Sequence, residues 1–133
     1  MKQKSSTGFT LIEIMVVIAI IALLASVVLV TLAAAKQKSR DAKRLADVRQ
    51  LASAMELYFN DNTSFPATLG PLTPTYIKSL PTYPSPVDTP CIANNSTYSY
   101  TGSSNTYTLL FCISTAIGSL SAGTHTLTQG GFQ

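Results

Sequence analysis

Glu13 is the one charged side chain in residues 9–35, FTLIEIMVVIAIIALLASVVLVTLAAA. A carboxylate within such a run costs an isolated span on the order of 2–3 kcal/mol or more, so it needs partners. Two kinds are open to it. Thr10-x-x-Glu13 matches a capping box, with Thr10 at the N-cap and Glu13 at N3, and an acid there also suits the helix dipole. If the chain is cut between Gly8 and Phe9, the new α-amine of Phe9 becomes a cationic partner, in the same chain or a neighbour. An ion pair in hydrocarbon would then set axial register, because a mispaired carboxylate is expensive there.

Little else in the chain has the spacing of a reactive site. Cys91 and Cys112 are too far apart for a CxxC redox pair; they suit either one disulfide or two buried thiols. A bridge over that loop would contribute about 3 kcal/mol in the chain-entropy view, and a Pro-rich exported domain with a thin core favours it. With one His and two Cys there is no His/Cys metal cage. His125 is expected to be a solvent-facing strand residue, and Asp61 and Asp88 ordinary turn residues rather than Ca²⁺ ligands. No phosphate loop, HExxH, paired catalytic carboxylates or nucleophile elbow occurs, so no catalytic residue, cofactor or metal is assigned. The six Tyr are expected to pack rather than to stack nucleic acid bases. Asn62-Thr-Ser, Asn94-Asn-Ser and Asn95-Ser-Thr match sequons, a weak signal.

These groups must be positioned by few elements. The chain has 133 residues, 46% hydrophobic and 11% charged, with a formal charge of +3. That allows one small domain plus an appended element, and the charge is too mild to imply nucleic-acid binding. As a helix, residues 9–35 span ~40 Å against the ~30 Å hydrocarbon core of a bilayer. A domain this small could not cover an all-round apolar cylinder, so the run is expected to be transmembrane. Ahead of it lies MKQKSSTG, basic through Lys2 and Lys4. An ordinary secretory signal cut near Ala33–Ala35 is the alternative. The run is too long for a 7–15-residue h-region, and its helical pattern continues through that cut.

The sequence Gly8-Phe9-Thr10-Leu11-Ile12-Glu13, after a short basic leader and before an apolar helix, resembles the class III signal of type IV prepilins and type II secretion pseudopilins. The resemblance implies removal of residues 1–8 by a membrane-embedded prepilin peptidase, N-methylation of Phe9, and a role for Glu13 in subunit incorporation. Cleavage would leave 125 residues and a side-chain balance of +1. An assembly ATPase and a platform protein are implied by family alone. Asp41-x-x-Arg44-x-x-Asp47-Val48, then Leu57–Asn62 and Phe65-Pro66, is similar to major pilins and the major pseudopilin, which extends the resemblance to about residue 66. Members resembling the best-known pili often carry Gly and Pro where this chain has Ala22 and Val30. Pilins also often staple the region of Cys91 and Cys112.

No Gly or Pro stands between Gly8 and Pro66, so one helix of ~75 Å is expected from about Thr10 to about Phe59. Its second half becomes amphipathic, with Leu45, Val48, Ala52, Met55 and Phe59 in one stripe. Asp41–Arg44 and Lys43–Asp47 are spaced to pair on the wet face. Asn60-Asp61-Asn62 marks the stop and Phe65-Pro66 enforces it. Residues 66–97 read as an ordered, winding Pro/Ser/Thr-rich loop in which Leu69, Leu72, Tyr76, Ile77, Leu80 and Tyr83 pack on the helix. Strands are expected at Tyr98–Thr101 and Thr106–Ser114 around a Gly102–Asn105 turn, with a third at His125–Gln129. The fold class is therefore α+β: a long N-terminal helix, transmembrane in its first half and amphipathic in its second, packed on a small antiparallel sheet. The organisation is leader 1–8, helix 9–35, and head 36–133.

Lys36, Lys38, Arg40, Lys43 and Arg44 outnumber Lys2 and Lys4, so positive-inside counting would leave the C-terminal domain in the cytoplasm. The leader motif and the cysteines argue for export instead. The basic stretch Lys36–Arg49 suits anionic lipid headgroups or DNA, although a solvated, internally paired helix face is the plainer expectation. An apolar helix that leaves the bilayer must bury its surface against copies of itself, and Ala19, Ala22, Ala25, Ser26 and Ala33 allow close approach. The expected function is thus a filament subunit: a type IV pilin held in the inner membrane, then polymerised into a cell-surface homopolymer. The rivals are a pseudopilin of a short periplasmic piston, and a minor pilin or anchored binding module.

Overall fold

The computed structural model describes residues 8–91 and 97–133. Lys2, Lys4, the rest of the leader to residue 7, and the sequon residues Asn94 and Asn95 lie outside the described residues. The described chain falls into two compact units, divided after Ala35.

One helix, α1 (Leu11–Asn62), supplies all of the first unit except its leading residues and the first element of the second. It runs unbroken through Ala22 and Val30, where straight-chain, β-branched and Ala residues leave every backbone N–H in the ladder. It also runs three residues past the expected end at Phe59. Asn62 bonds its own turn, Nδ2 to the Tyr58 carbonyl at 2.9 Å. The stop comes at Thr63, whose φ of 54° places it in the left-handed region while its N–H still reaches the Phe59 carbonyl at 2.7 Å.

The second unit carries a four-stranded antiparallel meander in the order β1 (Ser99–Gly102), β2 (Tyr107–Ile113), β3 (Gly123–Thr128) and β4 (Gly131–Phe132). Three strands begin or end one or two residues from their expected bounds. β4 was not expected: two residues are too short for a period-2 pattern, and it exists by pairing Leu127 with Phe132 and Thr128 with Gly131. Tyr107, Leu109, Phe111 and Ile113 alternate along β2 and meet Leu45, Val48, Leu51, Ala54 and Met55 of α1 in one core with Phe65, Leu72, Ile77 and Leu127. This is the expected α+β arrangement.

The buried face of α1 is centred differently from the expected stripe. Ala52 and Phe59 are only half-buried, while Leu51 and Ala54 are core. The row that faces inward is 41, 44, 48, 51 and 55, and its first two members are Asp41 and Arg44.

Loop residues 66–91 include the 3₁₀ turn Gly70–Leu72 and for the most part wind over the core. Leu72 and Ile77 are buried and Leu69, Tyr76 and Tyr83 half-buried, but Leu80 stays 39% exposed. Gly102 is required where β1 passes this loop: a Cβ there would run into the Pro66 carbonyl oxygen and the Tyr100 hydroxyl. Those two atoms are hydrogen-bonded to each other, the Tyr100 hydroxyl donating at 2.7 Å.

Candidate functional site

In the first unit the local sequence closes the expected capping box. The Thr10 N–H and hydroxyl both donate to Glu13 Oε2 at 2.8 Å, and the Glu13 N–H donates back to Thr10 Oγ1 at 3.3 Å. Glu13 Oε1 has no hydrogen-bond partner among the described residues. The carboxylate thus holds the helix start with one oxygen and presents the other. A Cβ on Gly8 would meet nothing within 4 Å, and Phe9 is 84% exposed.

From Phe9 to Leu32 sixteen large apolar side chains are exposed, distributed around the whole helix. Each would gain about 1.5–3 kcal/mol on burial, together about 25 kcal/mol or more, beyond the ~5–15 kcal/mol that holds a typical domain folded. Such a surface does not stay in water. Among the described residues α1 is the one helix long and apolar enough to cross a membrane.

The second unit is tied together by polar groups that the sequence placed wrongly. Asp41 and Arg44 do pair, at 2.5 Å, but both side chains are wholly buried rather than on a wet face. The reason is the end of β2. Asp41 accepts from the Ser114 N–H (2.9 Å), the Thr115 N–H (2.8 Å) and the Thr115 hydroxyl (2.8 Å). Arg44 donates to Ser114 Oγ at 3.1 Å and to the Pro84 and Pro86 carbonyls at 3.3 and 3.5 Å. Its guanidinium also lies over the Tyr83 ring, 4.7 Å from the centroid. Strand end, Pro-rich loop and helix are joined through this one pair. The Arg44 Nε is the one buried side-chain nitrogen or oxygen without a partner among the described residues.

The expected Lys43–Asp47 pair does not form. Asp47 is buried and accepts the Tyr98 hydroxyl at 2.7 Å. Burial first, then that bond, pushes the Tyr98 hydroxyl well above the usual tyrosine pKa. Burial likewise raises Tyr83, whose hydroxyl donates to the Cys112 carbonyl at 2.8 Å, and Tyr107, and it pushes Tyr100 up to about 12. All six tyrosines pack in ring pairs, Tyr58–Tyr76, Tyr83–Tyr98 and Tyr100–Tyr107.

The remaining candidates are placed as follows. Cys91 and Cys112 form a disulfide, both residues buried, tying the loop to β2. Asp88 is not a bare turn residue: it takes a two-pronged ion pair from Arg40, at 2.9 and 2.7 Å. Asp61 accepts the Tyr76 hydroxyl at 2.9 Å. His125 was expected to face solvent; it is half-buried on Phe111, with Nε2 2.7 Å from the Ser121 carbonyl, because the β2–β3 register sets it opposite Phe111, on the face that carries Leu109 and Leu127 into the core. Among the described residues no three His, Cys, Asp or Glu side chains gather as a metal site would need. The Arg40–Asp88 tie was not expected; the Asp41–Arg44 pair was, but on a wet face, although Asp41 and Arg44 continue the 3,4 spacing of buried Val48, Leu51 and Met55.

Residues 3–33 match the family described as the prokaryotic N-terminal methylation motif. The type II secretion system core protein G of Klebsiella michiganensis is 44% identical over 68 residues, covering 51% of this chain and 48% of that protein. Its Escherichia coli counterpart is 46% identical over 61 residues, 46% of this chain and 42% of that protein. Over about half of its length this chain is thus similar to these type II secretion proteins. The type IV wide pilus major component PilA4 of Thermus thermophilus is 37% identical over 79 residues, 59% of this chain and 60% of that protein. The chain thus matches about half the length of the core G proteins. The motif and the apolar half of α1 fit a membrane-anchored pilin or pseudopilin.

Proposed function

We propose that this chain is a structural subunit of a type IV pilus-like filament. It is held in the inner membrane by residues 9–35, cut between Gly8 and Phe9 by a prepilin peptidase and N-methylated on Phe9. Assembly machinery then polymerises it through its apolar helix into a surface homopolymer. The carrying observation is the helix exposed and apolar on every side, most of it within the matched methylation motif at residues 3–33. Lipid covers that surface before assembly and sister helices cover it afterwards. Glu13 Oε1 pairs the Phe9 amine of its own or a neighbouring chain and sets register, while Oε2 keeps the cap. The role is structural rather than catalytic.

A second reading is a pseudopilin forming a short periplasmic piston, favoured by the matches to core protein G. N-terminal mass spectrometry of sheared surface material separates the two. A filament subunit is recovered there without residues 1–8 and one methyl group heavier at Phe9; a pseudopilin is absent from it. Gly8→Leu should retain the leader. Glu13→Ala should lose filaments while the membrane pool stays intact, and normal filaments from that variant would remove Glu13 from the mechanism.

A further inference from the structure

We propose that Lys36, Lys38 and Lys43, set around the helix just past the apolar run, engage anionic phospholipid headgroups, Lys38 together with the turn at residues 116–118. The proposal rests on the reading of residues 9–35 as a membrane span.

In sequence, the stretch from Lys36 to Asp47 is mixed, with five cations and two anions. The fold removes both anions from solvent. Asp41 is enclosed with Arg44, Ser114 and Thr115, and Asp47 is taken by Tyr98. Arg40 is neutralised by Asp88. What remains facing water is Lys36, Lys38 and Lys43, all exposed and none in an ion pair among the described residues. The fold therefore leaves three uncompensated ammonium groups around the helix, beginning at the residue after the apolar run: Lys36 and Lys43 share one side, and Lys38 stands on another beside the turn at 116–118.

Lys38 also lines an open hollow of about 370 Å³ with Ala42, Ala116, Ile117 and Gly118. The turn beside it is tight: Ile117 and Leu120 exchange backbone bonds at 2.9 and 3.1 Å, and Gly118 supplies a φ of 60°. It sets exposed Ala116 and half-buried Ile117 against the lysine. Cations edged by small apolar side chains suit the headgroup level, where lysine stems lie along apolar surface and ammonium groups reach phosphate. The attraction fades within a Debye length of about 8 Å, and only residues just beyond a span can use it. No aromatic ring lines the hollow to stack a base, which favours lipid over single-stranded nucleic acid.

The test uses the full chain in neutral detergent, titrated with short-chain phosphatidylglycerol or phosphatidylcholine and followed at the Gly118 amide by NMR. Expected is tighter binding of the anionic lipid by about fivefold for each lysine engaged, roughly 25-fold for Lys36 and Lys38 and less from Lys43, which lies about 10 Å further along the helix. The preference should vanish in K36Q/K38Q/K43Q, whose fold is checked by circular dichroism, and should shrink at high salt. Equal affinity for the two lipids, or an undiminished preference in the triple variant, overturns the proposal. So does glycerol phosphate binding as tightly as the lipid, or a short oligonucleotide binding more tightly through the same lysines. Carbonate-resistant insertion into pure phosphatidylcholine vesicles tests the span separately. Insertion without headgroup preference defeats this proposal alone, whereas failure to insert defeats the reading beneath it.

Discussion

Asp41→Ala should damage the head far more than Arg44→Met, although the two side chains are paired and equally buried. Removing Asp41 strips the charge partner from Arg44 and leaves the Ser114 N–H, the Thr115 N–H and the Thr115 hydroxyl without their acceptor. Arg44 then has only neutral acceptors, two of them long, and a ring face. Breaking a buried pair in this direction costs about 3–5 kcal/mol. Removing Arg44 instead leaves Asp41 with three donors around its carboxylate, so the cost should be nearer about 1–3 kcal/mol. At about 1–2 kcal/mol per molar urea, the two midpoints should differ by roughly 1–2 M. The assay is urea unfolding of the full chain in neutral detergent with the disulfide intact, followed by tyrosine near-UV circular dichroism; all six tyrosines lie in the second unit. The double variant should be no less stable than Asp41→Ala, because removing an unpaired buried guanidinium relieves it. Arg44→Met costing as much as Asp41→Ala, or effects that add within about 0.5 kcal/mol, would refute the coupling.

Replacing Cys91 and Cys112 together with Ala should lower stability by about 3 kcal/mol for a loop of sequence separation 21, read as a lower urea midpoint. Reductant should move the native chain the same way and leave the variant unmoved. Alkali should unfold the head. Tyr83, Tyr98, Tyr100 and Tyr107 all have raised pKa values when folded, so the folded state holds protons the unfolded chain releases. Their contribution is complete below the unfolded value of about 10 and is lost as pH rises through the folded values, about 12 for Tyr100. Stability measured between pH 9 and about 12 should fall, less steeply in Tyr98→Phe; a flat profile would contradict the raised values.

Much of this molecule is legible in its amino-acid sequence alone. The apolar run, its absence of Gly and Pro, the Thr10–Glu13 box and the Gly8-Phe9 junction all lie in or beside one helix. Contacts three or four residues apart follow from helical geometry alone. The hairpin of β1 and β2 is likewise local, marked by its turn residues and by alternation. What the sequence could not disclose is where the charges of the second unit go. Helical spacing shows that Asp41 can reach Arg44, on the row of Val48, Leu51 and Met55, and that Lys43 can reach Asp47; it does not show the partners that let a charged pair be enclosed. That choice belongs to Ser114, Thr115, Pro84, Pro86 and Tyr98, 40 to 74 residues away in the chain. These groups bring unsatisfied backbone donors and carbonyls against one face of α1, and a buried polar group must find a partner there. The membrane-type helix was set by composition and period. The buried ion pair, the half-buried His125 and the three uncompensated lysines were decided by tertiary packing, because burial and long-range hydrogen bonding are properties of the assembled layers.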